Sequence, residues 1–191
     1  SSPNGSSGWA NVGSNSASYN PPTGSAATTY YRVIIIDNLS DCSDPVSEVA
    51  QVIVSPDLLI TAQPSNVNEC VGGTSTMTVA VSGGSGTITY QWQQSPDGST
   101  NWTNSTGTGF NTAIYTPEST VVGTTYYRVL INASNSGCDQ AVSANATAII
   151  SPDLTVTTQP SDVNECVGGT NTMTVVVSGG SGTITYQWQA S

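Results

Sequence analysis

Residues 55–93 read SPDLLITAQPSNVNECVGGTSTMTVAVSGGSGTITYQWQ, and residues 151–189 read SPDLTVTTQPSDVNECVGGTNTMTVVVSGGSGTITYQWQ. The stretch recurs at an offset of 96 residues, from Ser55 to Ser151. Self-similarity at a fixed period is the mark of a repeat architecture, in which each copy is one structural unit. Working outward, Tyr30-Tyr31-Arg32-Val33 returns as Tyr126-Tyr127-Arg128-Val129, and Cys42 returns as Cys138. Ser2-Pro3-Asn4-Gly5 with Trp9 answers Ser95-Pro96-Asp97-Gly98 with Trp102 at an offset of 93. The first copy is therefore three residues shorter between its Trp and its Tyr-Tyr pair. The chain divides into 1–54, the later part of one repeat, 55–151, a complete repeat, and 152–191, the first part of a third. Joined end to start, the seam would read YQWQAS-SSPNGSSGW, close to the internal YQWQQSPDGSTNW, so the chain is expected to be one register of a longer array.

Within the complete repeat, period-2 alternation predicts short strands. Leu58 to Thr61 is an edge segment broken by Pro64, which a sheet tolerates only at an edge. Thr76 to Val81 puts Met77, Val79 and Val81 on one face, and Thr87 to Gln93 puts Ile88, Tyr90 and Trp92 on one face. Gly83-Gly84-Ser85-Gly86 and Asp97-Gly98 are turns. Further strands are expected at Ala113–Thr116, at Thr124–Ala133 with Tyr127, Val129 and Ile131 inward and Arg128 outward, and at Val142–Ile150 with Val142, Ala144, Ala146, Ala148 and Ile150 facing one way. About seven short strands with a turn every 8–12 residues is the pattern of an all-β, two-sheet sandwich.

Composition narrows the function classes. Charged residues are 7% of the chain, against roughly 25% in an average soluble domain. The polar surface must come from Thr, Ser, Asn and Gly. The only cations are Arg32 and Arg128, and the net charge is −10, so nucleic acid and anionic membranes are poor partners. No apolar run approaches the roughly 20 residues of a membrane span, and no membrane insertion is expected. Low charge with abundant Ser and Gly can also mean disorder. The regularly spaced Ile, Val, Trp and Tyr argue for a folded chain instead.

These residues resemble an immunoglobulin-like domain. Trp92, with its copy Trp188, looks like the buried Trp of the third strand, and Tyr126-Tyr127, with Tyr31 in the earlier copy, looks like the start of the sixth. The chain departs from the antibody pattern where the inter-sheet disulfide would be. Val79 and Val129 stand near those positions, so apolar contact is expected to replace the bridge. The ensemble of Cys70-Val71-Gly72-Gly73, Tyr90 to Gln93, Ser95 to Trp102, Tyr126 to Val129 and Gly137-Cys138 is similar to the immunoglobulin-like repeats of giant surface proteins from Bacteroidetes-type bacteria, exported by the type IX system. That resemblance covers the whole chain. It implies export to the cell surface and a mechanical role, as in gliding-motility adhesins and long surface filaments.

In an exported chain of this resemblance, Cys42, Cys70, Cys138 and Cys166 read as disulfide partners. In an immunoglobulin-like topology, Cys70 and Cys138 fall at opposite ends of the repeat. The preferred reading is therefore a staple between neighbouring repeats, with an intradomain Cys70–Cys138 bridge and free thiols as alternatives. With neither His nor Lys, a Ser nucleophile lacks its usual activating base, so no enzyme is expected. No cofactor is expected either. Interdomain Ca²⁺ held by Asp57, Glu69, Asp139, Asp153 and Glu165 remains open, against the alternative of solvated surface acids. So does glycan stacking on Trp9 and Trp102, against a role covering a sandwich edge. The leading function is a structural stalk or filament segment of a secreted surface adhesin, partnered by adjoining copies of the repeat. The alternative is a carbohydrate- or protein-binding module.

Overall fold

The computed structural model describes residues 1–37, 43–134 and 139–191. All regular structure among them is strand. In chain order these are β1 (Ala27–Tyr31), β2 (Ala50–Val54), β3 (Leu59–Ala62), β4 (Val67–Cys70), β5 (Met77–Thr78), β6 (Ala80–Ser82) and β7 (Ile88–Ser95). They continue as β8 (Thr103–Asn104), β9 (Ile114–Tyr115), β10 (Gly123–Ala133), β11 (Ala141–Val142), β12 (Ala146–Ser151), β13 (Thr155–Thr158) and β14 (Val176–Ser178).

The complete repeat is an immunoglobulin-like sandwich. One sheet runs β4-β12-β10-β7-β8, with β11 also on β10. The facing layer joins β3 to β6 and β5 to β9. β5 and β6 flank Val79, whose N–H donates to the Ala113 carbonyl at 2.9 Å. Between the layers lie Trp92, Tyr127, Val129, Ile131, Ala146, Ala148 and Ile150 from the first sheet, and Met77, Val79 and Tyr115 from the second, all buried. Large residues on β10 stand opposite small ones on β12, with Tyr127 paired to Ala146. Interdigitation of this kind fills a core without voids. Trp92 stacks on Tyr115 at 5.2 Å, and Tyr115 tilts against Tyr127 at 5.3 Å. The indole Nε1–H donates to the Thr112 carbonyl at 2.9 Å, so the buried ring keeps its polar end satisfied. Burial, together with the neighbouring Tyr115, pushes the Tyr127 hydroxyl up to about 12. Val79 and Val129 occupy this core as plain apolar residues.

Two local readings need correction. Pro64 does not end the first strand's role: beyond it the chain resumes as β4, which pairs parallel to β12 in the other sheet, Ala148 opposite Val67. The final strand is not one continuous alternation. Leu130 pairs with Val142 but Tyr127 pairs with Ala146, so one extra residue is accommodated between them. A bulge of this kind reverses the side-chain phase. Ser143 turns inward, its hydroxyl accepting the Val129 N–H at 2.9 Å, while Val142 and Ala144 turn to solvent.

By Cα clustering the chain forms two compact units. One comprises Ser1–Leu59, Ser82–Ile88 and Ala133–Asp139, the other Ile60–Val81, Thr89–Asn132 and Gln140–Ser191. In the first, β1 pairs with β2 in the register that β10 and β12 use, Ala27 on Val54 matching Gly123 on Ile150. In the second, β13 pairs with β14 as the counterpart of β3 with β6. The partial repeats leave core-type residues uncovered. Trp188, expected in a core beside Trp92, is 51% exposed where Trp92 is 0%. Met173 is 52% exposed where Met77 is 0%. Tyr31 is only half-buried where Tyr127 is buried. The local sequence is the same, and what differs is the layer that would cover it.

Candidate functional site

Three features recur wherever the repeat recurs: a clasp on the linker, a braced loop beneath a Trp, and a cysteine turn at the exit. The clasp forms because Gly83 and Gly84 place the turn before β7 against the linker backbone. The Gly84 N–H donates to the Pro56 carbonyl at 2.9 Å, and a Cβ on Gly83 would lie 1.9 Å from the Asp57 carbonyl oxygen. Both glycines hold positive φ, 75° and 70°. The next junction repeats this: the Gly180 N–H donates to the Pro152 carbonyl at 2.7 Å, and a Cβ on Gly179 would lie 2.0 Å from the Asp153 oxygen. Ser55 adds a hydroxyl contact to Ser85 at 2.8 Å. β2 ends at Val54 and β12 at Ser151, so almost no free chain separates an exit strand from the clasp.

The braced loop begins with a buried Ser. The Ser95 hydroxyl donates to the Thr100 carbonyl at 2.6 Å and accepts the Gly98 N–H at 3.0 Å. Asp97 accepts the Ser99 and Thr100 N–H groups at 2.9 and 2.8 Å. The Thr100 side chain, then these backbone donors and the Ser95 hydroxyl, hold the Asp97 carboxyl well below the usual carboxylate range. A depressed folded pKa favours the native state above the ordinary value of 3.8, and that contribution is lost as pH falls below it. In the earlier copy Asn4 does the same work without a charge, accepting the Ser6 and Ser7 N–H groups at 3.0 and 2.9 Å. Asp97→Asn is therefore expected to keep the loop and to weaken the acid sensitivity of the complete repeat. Urea midpoints at pH 7 and pH 3 check this, and an unchanged difference between them would contradict it.

The two cations of the chain complete the braces. The Arg128 guanidinium lies 4.2 Å from the centroid of Trp102, and Arg32 lies 4.2 Å from that of Trp9. Arg128 also donates from Nε to Gln93 Oε1 at 3.0 Å. One face of each loop Trp is thereby occupied, and each ring is half-buried. In a chain of net charge −10 these are the only two Arg, and both are spent on the same contact. Arg128→Ala is expected to lower stability by ~1 kcal/mol, the scale of a partly exposed cation–π contact. Arg128→Lys should recover only part of it, because the planar guanidinium is what stacks. Denaturation midpoints of the three proteins test the ordering.

The cysteine turn closes the far end. Cys70 ends β4 opposite Ser151, the last residue of β12. The Val71 N–H donates to the Ser151 carbonyl at 3.1 Å, the Gly72 N–H to Ser119 at 2.9 Å, and the Ser119 hydroxyl to Gly73 at 2.7 Å. Cys70 is half-buried and unpaired, and Cys166, its copy, is exposed and unpaired. Cys42 and Cys138 lie outside the described residues. Of the acids considered for Ca²⁺, Glu69 accepts the Ser75 N–H at 2.9 Å and Glu165 accepts that of Asn171, each bracing its own turn. Asp57, Asp139 and Asp153 are exposed. Among the described residues no three His, Cys, Asp or Glu side chains gather into a metal-sized cluster, and no helix is long and apolar enough to cross a membrane.

A comparison with curated proteins finds no match. Among solved structures, the chain is similar to one described as Sidekick-1 immunoglobulin domains 1-5, at 16% identity and a TM-score of 0.37, over 74% of this chain and 30% of that one. The chain thus spans less than a third of that structure, and a likeness at this level carries no argument about function. A family model described as a domain of unknown function, DUF8696, matches residues 1–56 and 61–152. The matched segments end at Pro56 and Pro152, equivalent positions of successive repeats. They cover more than half of the chain, which therefore belongs to the DUF8696 family.

Proposed function

We propose that the chain is a structural stalk or filament segment of a giant secreted bacterial surface adhesin, of the Bacteroidetes type, working outside the cell. The observation that carries this reading is the linker clasp, present with the same donor, acceptor and glycine at Pro56–Gly84 and at Pro152–Gly180. A stalk transmits force only if its joints are stiff, and a linker held by backbone hydrogen bonds within a residue or two of the exit strand is stiff. The braced loops fit the same role, because they spend Trp and Arg on internal packing. A carbohydrate- or protein-binding module would use the remaining faces of Trp9 and Trp102. No residue set for enzymatic acid–base or nucleophilic work accompanies them, as the chain has no His and no Lys.

The cysteines add a covalent element to the proposed joints. Cys70 sits beside Ser151, where the chain leaves the repeat. At the other end of β10, Gln140 donates to Asn132 at 3.2 Å. About nine strand residues at ~3.3 Å each separate the two ends, roughly 30 Å, whereas a disulfide needs Cα atoms within about 7 Å. Cys70 is placed to meet a cysteine of the following repeat, not Cys138 of its own. Electron microscopy of the native surface protein should show straight rods with the repeat spacing, and a non-reducing peptide map should join Cys70 only to a cysteine of the next repeat. Freely jointed particles, or a peptide linking Cys70 to Cys138 of one repeat, would overturn the reading.

A further inference from the structure

The partial repeats are the two halves of one sandwich, and we infer that residues 152–191 of one copy take up residues 1–54 of a second copy to complete an immunoglobulin-like domain between molecules. The complete repeat shows what each half lacks. Residues 152–191 carry the counterparts of β3 to β7, and residues 1–54 carry those of the later strands, including β10 and β12.

The exposed surfaces match side chain by side chain. Trp92 is buried by stacking on Tyr115, and Tyr115 leans on Tyr127. The counterparts are Trp188, Tyr19 and Tyr31. Tyr19 and Tyr31 already sit together, 5.5 Å apart and tilted by 44°, close to the 5.3 Å and 48° of Tyr115 and Tyr127. Only the Trp of the trio is missing from that half, and Tyr19 is 43% exposed. The other half holds the missing ring: Trp188 is exposed and lines a hollow of about 170 Å³ with Pro160, Val175 and Tyr186. Pro64, Val79 and Trp92, the counterparts of Pro160, Val175 and Trp188, are buried in the complete repeat. The hollow is thus a sandwich core lacking its second layer.

Backbone pairing follows the same template. β4 runs parallel to β12 with Ala148 on Val67 and Ser151 on Cys70. Transposed by one repeat, this sets Val52 of the second copy on Val163 and Ser55 on Cys166. In the half-repeats Val52 and Val163 are half-buried and Ile53 is exposed. Unpaired strand edges of this kind are templates for another chain. The occupant is specified more tightly than for a generic apolar face, because the same residue types cover the same residues inside the complete repeat. Neither cell-surface location nor disulfides enter this inference.

The test uses the 191-residue chain under reductant, so that association cannot come from cysteine bridges. Its mass is followed by light scattering across a concentration series at physiological salt. Wild type should rise from 19.5 kDa to a dimer or an open ladder, with a blue shift in Trp emission that Trp188→Phe removes. Trp188→Asp cannot complete its own C-terminal half, and Tyr19→Asp cannot complete its own N-terminal half. Each alone should remain at 19.5 kDa, while an equimolar mixture should give twice that mass and grow no further. Both variants must keep the unfolding transition of the complete repeat. Wild type that stays monomeric, single variants that associate as wild type does, or a mixture that remains monomeric would each overturn the inference. None of these outcomes bears on the stiffness or disulfide pattern of the native joints.

Discussion

Trp92→Ala is expected to destabilise the complete repeat by ~3–5 kcal/mol, the range for truncating a fully buried aromatic residue. Small domains have roughly 5–15 kcal/mol in total, so the variant should unfold at much lower urea or not fold at 25 °C. The loss has three parts. A large apolar surface returns to water in the unfolded reference, the Tyr115 ring loses its stacking partner, and the Thr112 carbonyl loses the indole donor at 2.9 Å. The informative comparison is Trp188→Ala in dilute monomer. The residues around Trp188 repeat those around Trp92, yet its ring is 51% exposed. It should leave the repeat's transition within about 0.5 kcal/mol of wild type. Paired urea melts decide it: equal losses from both substitutions would mean that Trp188 is covered in the monomer.

Gly83→Ala is the second large effect, and it acts on the joint as well as on stability. At φ 75° an L residue costs roughly 1–2 kcal/mol. A Cβ 1.9 Å from the Asp57 carbonyl oxygen cannot be accommodated unless the linker moves. The total should therefore exceed the backbone cost alone, and the Gly84 N–H to Pro56 bond should break. Hydrogen exchange at the Gly84 amide reads that bond directly, and thermal denaturation reads the total. Gly24→Ala is the control, since nothing lies within 4 Å of its Cβ position and its φ is not positive. Protection of the Gly84 amide unchanged in Gly83→Ala would show that the clasp does not depend on this glycine.

Much of the fold was legible because strand alternation reports burial directly. Tyr127, Val129 and Ile131 alternate with polar or outward neighbours, and all three are buried. Alternation failed where pairing set the phase. Nothing in the residues 141–150 shows that an extra residue is absorbed near Ser143, because a bulge is defined by the partner strand and not by the strand itself. β4 escaped notice for a related reason: Val67–Cys70 has no regular pattern of its own and is a strand because β12 lies parallel to it. The clasp was half visible. The Gly-Gly pair marked a turn, but the approach of the Asp57 carbonyl that requires Gly83 exists only in three dimensions.

By itself, then, the sequence determined the repeat, its period and its all-β character, since these follow from residue order and from the two-residue period of a strand. It also supplied the pairing of Trp9 with Arg32 and of Trp102 with Arg128 as a repeated composition, without its meaning. Only the tertiary structure showed that each Arg lies 4.2 Å from its Trp, that each linker is clasped by a glycine turn, and that Cys70 stands at the exit strand. It also separated Trp92 from Trp188. Their local sequences agree, and burial is decided by which strands lie across the ring, which no stretch of residues contains on its own.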